Sequence, residues 1–307
     1  LPQGIGRRSG TWCGDAVRKR GNDMINERLA GRKACCMMRT SVAGAALATA
    51  LALATPALAQ ETCTTTPAPS PAPSAAGNGA PACGSGAQAT TNGTAMGDDA
   101  SAGISGVAIG SSADAGGNGA IAIGGWRDLD GDGVIDPGET TSAAGQSAIA
   151  LGVRAQALSS QTIAIGNNAR AINNFGIAIG RDTVADNLAV AIGDHASATG
   201  WSAVSVGEFS NGSGENAAAL GAFATADRLF SVALGSNSQA NADYAIAIGT
   251  SQASAAHAIS LGADALASSA NSMALGHLAR ATSGTGVAIG LEASSKGGGA
   301  VGRGAGR

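Results

Sequence analysis

From about residue 94 onward, large apolar and small residues alternate along the chain, and glycine closes each short run. The stretch Tyr244-Ala245-Ile246-Ala247-Ile248-Gly249 shows the unit: a branched apolar residue, alanine, a second large apolar residue, then glycine. Its glycine returns at Gly97, Gly110, Gly124, Gly152, Gly166, Gly180, Gly193, Gly207, Gly221, Gly235, Gly249, Gly262, Gly276 and Gly290, in steps of 13 or 14 residues with one of 28. Large-small-large alternation has the period of a strand, and the β-branched residues at the large positions favour strands. Five residues after each glycine the chain is small again, as at Ala102, Ala157, Ala185, Gly212, Ser254 and Ser295. Each repeat therefore predicts two short strands joined by two tight corners. The glycine belongs at a corner where a positive φ or close approach excludes a Cβ. Repeats of this length stack, so the predicted fold class is all-β: a parallel β-roll, or β-solenoid, of about 14-residue repeats. A helix is excluded by the frequent glycine and the wrong period, and collagen by the absence of glycine at every third place.

A 14-residue coil is thin and encloses little apolar surface, so it needs help from outside itself. The lines of alanine are expected to supply that help, as seams where the backbones of several copies meet. Cyclic symmetry would bury such seams equally in each copy.

Repeats such as Val107-Ala108-Ile109-Gly110, Ile177-Ala178-Ile179-Gly180 and Ser231-Val232-Ala233-Leu234-Gly235-Ser236 resemble the head repeats of YadA-like trimeric autotransporter adhesins. The resemblance covers roughly residues 94–302. It implies a left-handed roll assembled as a homotrimer and exported to the surface, or outer membrane, of a Gram-negative bacterium. It also implies an adhesin function, with an extracellular matrix protein or other surface ligand as partner. The family's coiled-coil stalk and β-barrel anchor are not found after Gly290. Membrane attachment is thus expected only through an anchor outside this sequence, and residues 303–307 read as a truncated tail.

Charge divides the chain. Residues 1–59 hold nine Lys and Arg against three Asp and Glu; residues 60–307 hold nine against eighteen. The acidic, aromatic-poor repeat region argues against nucleic acid as a partner. The basic start has the form of a leader: Arg39, an apolar run from Val42 to Ala54, then Ala57-Leu58-Ala59. A short alanine-rich run ending in small residues predicts a signal peptide cleaved after Ala59 rather than a membrane span. Residues 60–93, rich in Thr, Pro, Ala and Ser, read as an extended spacer. It holds Cys63 and Cys83, which an oxidising compartment would bridge, or leave as free or intermolecular thiols.

The double step contains the single chemical motif, within an inserted segment spanning residues 125–145. Asp128, Asp130 and Asp132, the turn at Gly133, the carbonyl of Val134, then Asp136 and Glu139 stand at the ligand places of a twelve-residue calcium loop. Five carboxylates so close would repel one another without a cation. The expectation is a structural Ca2+, and the alternative is a solvated acidic turn. Trp126 would pack the loop on the roll or stay exposed.

Elsewhere Trp201, Phe209, Phe223 and Phe230 are expected either as an aromatic patch for a partner or as corner packing between subunits. His195, His257 and His277 fall in different coils and form no cluster. With no nucleophile-base constellation, phosphate loop or zinc spacing, the chain is not expected to be an enzyme. The predicted function is a surface adhesin head. The alternative is a non-adhesive structural spacer or surface-layer solenoid.

Overall fold

The computed structural model describes residues 71–136, 138–297 and, as backbone strands, 62–63 and 301–303. The leader and cleavage site expected over residues 1–59 lie outside the described residues. Strands of two lengths alternate along the chain. Three-residue strands such as Val107–Ile109, Ile163–Ile165 and Ile177–Ile179 belong to one parallel sheet of 17 strands. Two-residue strands such as Ser101–Ala102, Gln156–Ala157 and Arg170–Ala171 form a second, of 16. Equivalent residues of successive coils pair directly, Ile163 with Ile177 and Ala171 with Ala185. The architecture is thus the expected parallel β-solenoid.

The corners carry the same ladder as the strands. Gly180 N–H donates to the Ile165 carbonyl at 2.8 Å and Asp182 N–H to the Asn167 carbonyl at 2.9 Å, one coil back. Within a coil, Ala169 N–H closes a turn on the Gly166 carbonyl, and Gly176 N–H closes the opposite one on Asn173. The third residue of each turn is left-handed: Asn168 at φ 55° and Phe175 at φ 62°. Few side chains accept that conformation without cost. The repeat glycine is required for a different reason. Gly180 has φ +136°, and a Cβ there would lie 2.3 Å from the carbonyl oxygen of Gly193 in the next coil.

The interior corrects one expectation. The alanines are not seams between copies; they face each other across the inside of a single coil. Ala178, between Ile177 and Ile179, is 0 % exposed, as are Ala171 and Ala185 on the opposite sheet. The two sheets are so close that methyl-sized side chains fill the gap, and the larger residues on either side of each alanine point outward. Several interior hydroxyls return to turn carbonyls, Thr183 Oγ1 to Gly180 O at 2.7 Å and Ser238 Oγ to Gly235 O at 2.8 Å, the usual fate of buried polar groups, whereas Ser260 Oγ has no partner among the described residues.

Two boundaries also move. The roll begins before residue 94: Ser74–Ala75, Ala82–Cys83 and Gln88–Ala89 are strands of the same two sheets, with Ala80, Ala82, Ala87 and Ala89 buried. Gly84 starts the glycine ladder, its missing Cβ 2.4 Å from Gly97 O. Residues 71–93 lack the large outward residues, but the inward alanines are what close a coil. Backbone pairing sets Cys63 beside Cys83. At the other end, the strand Val301–Arg303 pairs with Val287–Ile289. In the coil after Gly249 the inward residue is Ala253, paired with Ala240 and Ala267, and not Ser254.

Candidate functional site

The outer face of the long-strand sheet is apolar along its length. In the three-residue strands from Thr94–Met96 to Val287–Ile289 the first and third side chains point out, and register stacks them into two ladders: Ile163 on Ile177, Ile165 on Ile179, Val190 on Val204, Ile192 on Val206. Within the single chain Ile163, Ile165, Ile177, Ile179, Val190 and Val204 are half-buried, while Ile109 and Ile289 are exposed at 37 % and 46 %. The short-strand sheet is mostly polar outside: Ser101, Asp114, Ser142, Gln156, Arg170, Ser197, Asn211, Thr225 and Gln239 lie along its outer column, interrupted by Val184 and Leu266. A contiguous apolar face this extended marks a contact surface.

The aromatic residues do not form one patch. They occupy the left-handed turn positions on the two opposite corners. On one, His195, Phe209 and Phe223 stack at centroid separations of 4.6 and 5.3 Å. On the other, Phe230, Tyr244 and His257 stack at 5.3 and 4.9 Å. Their spacing of 13 or 14 residues made both ladders legible in sequence, had the corner positions been aligned as the strand positions were. Trp201 is exposed one residue before a turn position, and Trp126 is half-buried at the start of the insert. His195 also lies 3.3 Å from Asp194 and 3.6 Å from Asp182. Arg181 holds Asp194 through two hydrogen bonds of 2.8 and 2.6 Å, which keeps that carboxyl below its ordinary pKa and raises the guanidinium's. His195 and His257 belong to the two separate corner stacks.

The insert replaces one corner between the strands Ile121–Ile123 and Ser142–Ala143, without adding a coil. Ile121 pairs directly with Ile149, and Asp114 with Ser142. Thr141 pins its base, its single Oγ1–H shared between the carbonyls of Gly125 (2.8 Å) and Gly152 (2.7 Å), and Arg154 Nε reaches Gly138 O at 3.1 Å. Above this base the acidic residues converge as two triples that share Asp130. Asp128, Asp130 and Glu139 form one, Asp130, Asp132 and Asp136 the other, each with carboxylate oxygens within 4.8 Å of one another. Backbone N–H groups fix them: Gly131 and Gly133 donate to Asp128 at 2.6 and 3.0 Å, Val134 to Asp132 at 2.7 Å. Glu139, only 3 % exposed, accepts from Leu129 and Asp136 with its two oxygens at 2.7 and 3.0 Å. The Gly131 N–H, with smaller help from Gly133 and Asp130, lowers the pKa of Asp128. Desolvation, then repulsion from Asp132, Asp130, Glu139 and Asp128, raises that of Asp136. An all-oxygen donor set that strains its own carboxylates fits a hard divalent cation.

The repeat model of the YadA head domain matches residues 143–169, 159–183, 213–238, 229–251 and 267–293. The chain carries a YadA-like head domain. No curated protein matches it. YadA-like heads are linked to adhesion at the bacterial cell surface, and neither family nor fold is typically enzymatic. Among the described residues of this head, no helix is long and apolar enough to cross a membrane.

Proposed function

We infer that this head is the assembling and ligand-presenting part of a cell-surface adhesin, formed by three copies that cover one another's apolar ladders. The observation that carries this reading is the pair of Ile/Val/Leu ladders on the long-strand sheet, which none of the described residues covers. Burying each such side chain is worth on the order of 1 kcal/mol or more, and a solenoid repeats the gain in every coil. Three copies would hold the polar sheets and corners outward, where many equivalent weak contacts add up on a host matrix or another surface. The insert is assigned a structural Ca2+, held by Asp128, Asp130, Asp132, Asp136, Glu139 and the Val134 carbonyl. It would supply the positive charge that five crowded carboxylates lack and stiffen a loop standing out from the roll.

One measurement tests both parts: the mass in solution, by light scattering, and the melting temperature of the chain from Gln60 onward, with calcium and with chelator. A mass three times that of the single chain, and a higher melting temperature with calcium that Glu139→Gln abolishes, are expected. A stable monomer would remove the assembly reading and favour a self-sufficient structural spacer. An unchanged melting temperature would reduce the insert to a solvated acidic turn.

A further inference from the structure

The coil that starts at Gly249 lacks one residue, and the place of the loss matters. A full corner runs Gly235-Ser236-Asn237-Ser238 before the strand Gln239–Ala240. Here Gly249-Thr250-Ser251 leads straight into Gln252–Ala253. The other two 13-residue steps from the glycine ladder of residues 94–302 lose their residue on the opposite corner, between Ala102 and Val107 and between Ala185 and Val190. The left-handed corner residues Asn237 and Asp264 therefore have no counterpart in the coil between them. Over the gap lies a shallow, open groove of about 680 Å³. Asn237 lines it from the coil before, Thr250 and Gln252 from the short coil, Asp264 and Leu266 from the coil after, and Arg280 from the next. Gln252, Leu266 and Arg280 are register partners on the outer column of the short-strand sheet. The groove thus opens away from the apolar ladders and stays accessible when copies cover those.

We propose that this groove binds a neutral saccharide unit. A sugar hydroxyl both donates and accepts, and the lining offers both: amides at Asn237 and Gln252, a hydroxyl at Thr250, a carboxylate acceptor at Asp264, a guanidinium donor at Arg280. The two formal charges cancel. A singly charged ligand would satisfy one and leave the other without a partner, whereas a neutral polyol hydrogen-bonds to both. Leu266 gives the apolar contact that the C–H face of a pyranose ring needs. Repeated once per copy, a weak site gains from multivalent presentation.

The ligand class deepens the attachment reading, and the test separates the two. Titration calorimetry and saturation-transfer NMR on the chain from Gln60 would use methyl glycosides and disaccharides of glucose, galactose, mannose and N-acetylglucosamine. Sialyllactose and a heparin disaccharide serve as charged comparators. At least one neutral sugar is expected to bind at one site per chain. One asparagine inserted between Thr250 and Ser251 rebuilds the full corner, and should weaken that binding by about tenfold or more without lowering the melting temperature or changing the mass in solution. Asp264→Asn and Arg280→Gln should each weaken it by a smaller factor. Binding of no neutral sugar at about 10 mM, binding of the charged sugars only, or binding that survives the insertion would each overturn the proposal. Sugar binding by a monomeric chain would leave the groove standing and remove only the assembly.

Discussion

The long-strand and short-strand sheets share one alanine interior and differ on their outer faces. Ile177, Ile179, Val190 and Ile192 stand out from the first; Arg170, Ser197, Asn211 and Thr225 stand out from the second. Inside, a coil must match its neighbours in size, because the sheets leave room only for methyl groups. Outside, none of the described residues constrains size, so the choice between isoleucine and serine reports what each face meets. The comparison separates two kinds of apolar residue that composition counts alike. Alanine builds the coil, and the branched residues build the outward apolar face that the proposed assembly would cover.

The largest effect should come from crossing the two roles within one strand. Ala178→Leu forces three more carbons into a sealed interior and is expected to destabilise by about 3 kcal/mol or more, or to prevent folding; urea unfolding reads it. Ile177→Ala next to it should change monomer stability far less, and equal losses at the two positions would break the distinction. Next comes the contrast between faces. Ile179→Lys with Ile192→Lys should convert the assembly to monomers by light scattering, while Ser197→Lys with Asn211→Lys on the other sheet should leave the mass unchanged.

The corners offer a smaller test. Stacked rings add about 0.5–1.5 kcal/mol beyond their burial, so a double-mutant cycle on Phe209→Ala and Phe223→Ala should return a coupling in that range. A coupling near zero would make the rings passive occupants of strained turns. The smallest effect is at Asp114, the acidic member of the polar column where its neighbours are Ser101 and Ser142. Burial raises its carboxyl pKa, against a smaller opposing hydrogen bond from Ser142. The folded chain then binds this proton more tightly than the unfolded chain. The contribution to stability is therefore fully present below the ordinary carboxylate pKa and lost as pH rises through the folded value. Asp114→Ser should raise the melting temperature at neutral pH, with the gain fading in acid; a gain that grows in acid would reverse the sign.

The acidic cluster of the insert was legible residue by residue because its motif is local: the carboxylates, the turn glycine and their spacing all lie between Asp128 and Glu139. The aromatic ladders and the groove were less so. Phe209 and Phe223 are neighbours only because two left-handed corners stack, and a pattern built on strand positions passes over them. The groove depends on which of two corners lost a residue. A 13-residue step does not say which, whereas the pairing of Ala253 with Ala240 and Ala267 does.

Periodicity by itself determined that the chain coils, how long each coil is, where its glycine must stand and that large and small residues face opposite ways. Which way each set faces was decided only when the coil closed. Alternation has two faces and no label for the inside. The gap between two sheets that turn through fourteen residues is a property of the closed backbone, and it admits alanine and excludes isoleucine. That same closure carried the roll back to Ser74 and turned the branched residues into an outer surface.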